Sequence, residues 1–255
     1  MPHKISSEDI KVLKIISNGS DLQFKLLKED TPERIKRIVK SYYNRLPLIN
    51  DLNQHGINIK DISQLHPSQT SDDIYKKTVP ILVLWLKKKD TDKETKAIII
   101  SNLIEKPYSK QYAFDIILDL FKSTDRYEKD EDGYESMLPL YIGNALLRWV
   151  NDSYADIIFN FLKDKKLRED NFLLESLSNF KNPENVQKAK EIVIKELKSE
   201  PDKDRLGAIF VVLKKLKVIE AEKLVEIYTK NKDSNIRNEA KKLMRVFEKI
   251  HQSKN

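Results

Sequence analysis

The chain has 255 residues, with 47 Lys and Arg against 40 Asp and Glu (formal charge +7), 40% apolar residues and no Cys. That length can bury an ample core, and the missing Cys excludes disulfides, thiolate zinc sites, iron–sulfur clusters and thiol nucleophiles. The five Gly (Gly19, Gly56, Gly133, Gly143, Gly207) form neither G-x-G nor G-x-x-x-x-G-K, so both glycine-rich phosphate cradles are absent.

Ser6, Ser7, Glu8 and Asp9 put acids where a secretory signal places its apolar stretch, and no apolar run approaches the ~20 residues of a membrane span. A cytoplasmic protein without membrane association is the expectation. Thr31-Pro32, a cap followed by Pro at the first helical position, opens a helix through Ile35, Ile38, Val39 and Tyr42. His55-Gly56 closes the next one. Ser71-Asp72-Asp73 opens a segment carrying Val79, Leu82, Val83 and Leu86, and Lys87-Lys88-Lys89 ends it where cations suit the helix dipole. Pro80 inside that segment predicts a kink rather than a break. Asp92 starts a run through Ala97, Ile98, Ile100 and Leu103 that Pro107 ends.

The acid-rich stretch 123–135 reads as an exposed loop. Helices are expected over 108–122, 136–150, 152–163, 170–180, 183–199, 203–216, 218–230 and 234–251, and no stretch reads as a strand. In the last of them Ile236, Ala240, Leu243, Phe247 and Ile250 make an apolar stripe, beside a basic one of Arg237, Lys241, Arg245 and Lys249. The apolar helices beginning at Ala145, Leu173, Ala208 and Ala240 recur at offsets of 28, 35 and 32 residues, a spacing that signals an α-solenoid. Gly143 with Ala145, and Gly207 with Ala208, put small residues where two helices are expected to approach closely. The expected fold is all-α, an α-α superhelix of antiparallel helix pairs in one domain over 1–255. Residues 1–70 would form an irregular helical cap and 71–251 the stacked repeats.

The run from Asp233 through Ser234, Asn235, Ile236 and Arg237 to Ala240 and Leu243 resembles the second-helix signature of HEAT repeats, including their PBS-lyase-like members. The resemblance implies a ladder in which Asp233 and Arg237 bond to their counterparts in neighbouring repeats. The segment Thr78-Val79-Pro80 to Trp85-Leu86 resembles the proline-containing first helix of such a repeat, although Lys96 stands where the following helix would carry Arg. Pro80 to Leu86 followed by Ile142-Gly143-Asn144-Ala145-Leu146 is similar to a group of uncharacterised bacterial HEAT-repeat proteins. The family implies a scaffold and is nearly silent about what it binds.

Glu128, Asp130, Asp132 and Gly133 imitate the start of a calcium loop, but Pro139 occupies the closing position and a solvated loop is the simpler reading. The four His (His3, His55, His66, His251) share no ligand spacing, and no G-x-S-x-G elbow exists. No metal or cofactor is expected. Arg148, Trp149 and Asp152 can be read in two ways. Alkylpurine DNA glycosylases with a HEAT-like fold use an aromatic, a carboxylate and an Arg, and here Trp149 would stack, Asp152 supply charge and Arg148 hold phosphate. Alternatively, Trp149 is core and Asp152 caps the next helix.

Charge is uneven: residues 195–255 hold 16 bases and 10 acids, while 124–175 hold 7 and 12. Lys214, Lys215 and Lys217 with Arg237, Lys241, Arg245 and Lys249 could attract nucleic acid or acidic protein, blunted by Glu220, Glu222, Glu226, Glu239 and Glu248. They could equally be the polar outer face that a terminal repeat requires. Tyr42 and Tyr43 with Arg45 offer another anchor, one Tyr being core. The expected function is a non-catalytic module that recognises a protein or peptide, with Asn144, Arg148 and Trp149 as exposed anchors. Nucleic-acid binding, with or without glycosylase chemistry, is the alternative.

Overall fold

A computed structural model describes residues 5–65, 70–127, 129, 133, 135–199 and 201–253. Among these the protein is all-α, with thirteen α-helices, five short 3-10 turns and no strand beyond an isolated bridge between Lys129 and Glu135. The bridge lies in the acid-rich insert, where Tyr127 is 83% exposed. No helix among the described residues is long and apolar enough to cross a membrane. The chain forms two compact units, Met1–Ile142 and Gly143–Asn255.

The first unit contains α1 (Ser7–Ile16), α2 (Asp21–Lys28), α3 (Pro32–Gln54), α4 (Asp72–Lys87), α5 (Lys93–Leu103) and α6 (Lys110–Ser123). Five of these start on a side chain that accepts a hydrogen bond from a backbone N–H two or three residues into the helix, namely Ser6, Ser20, Thr31, Ser71 and Asp92. Each occupies a donor that would otherwise be orphaned. The helix opened by Thr31-Pro32 and the one closed by His55 are a single 23-residue helix, which corrects the expectation of two. Pro47 lies inside it and cannot donate, a loss that costs about 3 kcal/mol. Buried Leu48, Ile49 and Leu52 on its far side hold the helix through that point, at roughly 1.5–3 kcal/mol per side chain. Pro80 likewise sits within α4, which runs on to Lys87. Val12 and Leu13 of α1 pack with Ile35, Val39, Tyr42 and Ile49 of α3, and α4 packs on α3, α5 and α6.

α7 (Leu138–Trp149) spans the boundary between the units. The second unit continues with α8 (Ala155–Phe161), α9 (Asn171–Ser176), α10 (Pro183–Lys198), α11 (Lys203–Lys215), α12 (Glu222–Tyr228) and α13 (Ser234–Gln252). α11 packs against both α9 and α13, with α10 on α11 and α12 on α13. The apolar stripe of α13 is as expected, with Ile236, Ala240, Leu243 and Phe247 buried.

The starts of α9, α11 and α13 are tied together by polar bonds. Arg205, near the start of α11, donates to the carbonyl of the α9 cap Asp170 at 3.1 Å and to Glu196 at 2.9 and 3.0 Å. Lys203 pairs with the α13 cap Asp233 at 2.9 Å. The two small-residue positions differ. A Cβ on Gly143 would overlap the Phe172 ring, whereas one on Gly207 would meet nothing within 4 Å. Close approach therefore explains Gly143 and corrects the expectation for Gly207.

Candidate functional site

The N-terminal half of α3 presents Arg34, Arg37, Ile38, Ser41 and Arg45 at steps of three and four, which places them along one face. α5 presents Glu94, Ala97 and Ile98 in the same way. Between these faces, with Ile16, Leu27, Met137 and Tyr141 completing the walls, lies a groove of about 340 Å³ in the first unit. That size falls at the small end of ordinary ligand pockets. Ile16, Leu27, Ile38, Ala97 and Ile98 make most of the lining apolar.

Every guanidinium at the groove meets a carboxylate. Arg34 Nε lies 3.1 Å from Asp30, and Arg37 donates through Nε and Nη2 to Glu94 Oε1 at 3.2 and 3.1 Å, joining α3 to α5. Arg45 is 6% exposed and pairs through Nη2 with the equally buried Asp61 at 2.9 Å. Its Nη1 donates to Ser41 Oγ at 2.9 Å, while its buried Nε has no partner among the described residues. Burial, and then the Asp61 carboxylate, hold the Tyr42 phenol above its ordinary pKa. The groove is therefore an apolar trough whose charged walls are neutralised and braced from within.

The anchors expected from sequence lie in the second unit and are not equally accessible. Arg148 is exposed and Asn144 half-buried, but Trp149 is 4% exposed. It faces the core and cannot stack on a ligand, which corrects the expectation of an exposed anchor. Asp152 does not start α8. Asn151 caps that turn, and the Asp152 carboxylate accepts from the backbone N–H groups of Lys181 and Asn182 and from Asn185 Nδ2 at 3.0–3.2 Å. The Asn185 bond and then these backbone bonds hold its pKa below the ordinary value, against the opposing effect of burial. Asp152 thus ties the turn after α7 to the start of α10. Core burial of Trp149 and the structural bonds of Asp152 occupy the two groups that glycosylase chemistry would need.

Arg237 donates from Nη1 to the carbonyls of Asn231 and Lys232 at 2.7 and 3.2 Å, within its own turn, while Asp233 bonds Lys203 and caps α13. Lys241 and Arg245 are exposed on α13. Tyr42 is buried, whereas Tyr43 is 41% exposed and donates to Glu8 at 3.1 Å. His55 bonds Asp51 and His251 bonds Glu222. His3, His66 and the carboxylates of the calcium-like loop (Glu128, Asp130, Asp132) lie outside the described residues, among which no group of three ligating side chains gathers.

The groove residues Arg34, Arg37, Ser41 and Glu94 did not stand out in the sequence. The helical spacing of Arg34, Arg37, Ser41 and Arg45 was the available signal, but their partners Glu94 and Asp61 are distant in sequence. No protein-family profile, curated protein or solved structure matches the chain.

Proposed function

We propose that the protein is a non-catalytic binding module, built from stacked helix pairs, that recognises a protein or peptide. The observation that carries this reading is the braced apolar groove between α3 and α5, filled best by an uncharged, bulky side chain of a partner. Because Arg37–Glu94 and Arg45–Asp61 already fix the walls, few groove side chains need to be ordered on binding. Deep apolar anchors of this kind contribute most of the affinity of an interface. The ties among the starts of α9, α11 and α13 support the stacked-pair architecture that the HEAT-like signature implies.

Selection of displayed peptides against the full chain tests the proposal. Enriched peptides should share one large apolar residue, and Ile98→Trp, which fills the groove from its half-buried wall, should weaken them at least tenfold, or about 1.4 kcal/mol. Selected peptides that bind the Ile98→Trp protein unchanged would overturn the assignment of the groove.

A further inference from the structure

We infer that the exposed face of α13, together with the end of α11, binds the phosphate backbone of a nucleic-acid duplex. In sequence, the bases of this region are interleaved with acids; in the folded chain four of those acids are paired, while Glu226 of α12 and Glu248 of α13 are exposed and pair with no base among the described residues. Glu220 pairs with Lys190 at 3.6 Å, Asp233 with Lys203 at 2.9 Å and Glu239 with Lys242 at 2.6 Å, while Glu222 accepts from His251 at 3.0 Å. Lys190 and Lys203 come from α10 and the start of α11, so those acids are neutralised without using the bases of the face. Lys214, Lys217, Lys241, Arg245 and Lys249 are all exposed, and none pairs with a carboxylate among the described residues.

Geometry groups these cations. α11 and α13 pack together, and the Lys203–Asp233 pair sets their starts side by side. At 1.5 Å of rise per residue, Lys214 then lies ~16 Å along α11 and Arg245 ~18 Å along α13, so the two are level. Lys241, Arg245 and Lys249 follow one another at steps of four over roughly 12 Å. A duplex strand presents a phosphate about every 3.4 Å of axis, so the stripe faces about three of them. Glu248 flanks it as the remaining acid of α13 without an ion pair. An anionic membrane is disfavoured as the partner, because a surface-bound helix buries an apolar face in lipid. Here Ile236, Ala240, Leu243 and Phe247 are already buried within the protein.

The test is fluorescence anisotropy of the full chain with labelled 20-base-pair duplexes of arbitrary sequence, one of DNA and one of RNA, between 50 and 200 mM salt. Binding should weaken with salt, and K241Q/R245Q/K249Q should make the log–log slope less negative by about 2.7. That triple variant should also lose at least tenfold in affinity at low salt. E248Q, which removes a charge and breaks no bond, should bind at least twofold tighter, an outcome that misfolding cannot imitate. Comparison of the two duplexes identifies whether DNA or RNA is preferred.

The control K76Q/K77Q/K87Q removes the same net charge from exposed positions on α4 and should leave binding within about twofold. Absence of duplex binding at 50 mM salt would overturn the inference. So would an equal loss in the α4 control, or binding of phosphatidylserine vesicles or polyglutamate in place of duplex.

Discussion

Removing the carboxylate of Asp61 tests the bracing of the groove most directly. Arg45 and Asp61 have side chains 7% and 3% exposed and meet at 2.9 Å. Asp61→Ala leaves the guanidinium buried, with one bond to Ser41 and an Nε that is already unpartnered. Breaking a buried pair from one side costs about 3–5 kcal/mol, because the surviving charge keeps its desolvation penalty. The same change removes the carboxylate that accepts from Ser63 N–H at 2.9 Å, so the upper end of the range is expected. For a unit of this size the loss corresponds to a fall in Tm of roughly 6–20 °C.

The assay is thermal and urea unfolding followed by Trp85 fluorescence in a Trp149→Phe background. The chain has two Trp, and Trp85 belongs to the unit that holds the pair. Arg45→Met with Asp61→Leu replaces both charges by apolar groups and should recover to within about 1 kcal/mol of the parent. If Asp61→Ala costs less than about 1 kcal/mol, or the double variant is no better than the single one, the pair does not brace the groove.

Gly143→Ala should destabilise by about 1–3 kcal/mol despite Ala's better helix propensity, because its Cβ drives into the Phe172 ring. Gly207→Ala, with open space around it, should instead stabilise by about 0.5–1 kcal/mol, and urea unfolding reads both. Asp152 has a folded pKa below its ordinary value of 3.8, so its contribution is fully present above that value and is lost as pH falls through the lower folded one. Unfolding midpoints between pH 2 and 6 should therefore drop more steeply below pH 4 in the parent than in Asp152→Asn; parallel curves would show that its hydrogen bonds do not favour the charged form in the fold. Leu243→Ala, at a 1% exposed position in α13, should cost about 2–5 kcal/mol by calorimetry. A cost under 1 kcal/mol would mean that the stripe of α13 does not pack as described.

Local chemistry made much of the fold legible. Caps such as Thr31, Ser71 and Asp92, and stripes such as Ile236–Ala240–Leu243–Phe247, act within one or two helical turns, so they can be read without knowing what lies opposite. The long helix through Pro47 shows where such reading stops. Proline costs a similar few kcal/mol anywhere in a helix interior, and whether the helix survives depends on side chains buried beyond it.

The candidate site belonged almost wholly to that second kind of information. Glu94 meets Arg37 across 57 positions of chain and Asp61 meets Arg45 across 16, so their charges looked like ordinary solvated residues in the sequence. For Trp149 and Asp152 the sequence allowed both a reactive and a structural reading, and folding places Trp149 in the core and ties Asp152 to the start of α10. Composition and periodicity by themselves determined that the chain is helical, where most helices beyond residue 70 begin and end, and which face of helices such as α13 is apolar. Tertiary structure alone decided which charges cancel and which stay free, because an ion pair depends on distance in space and on the water that folding removes.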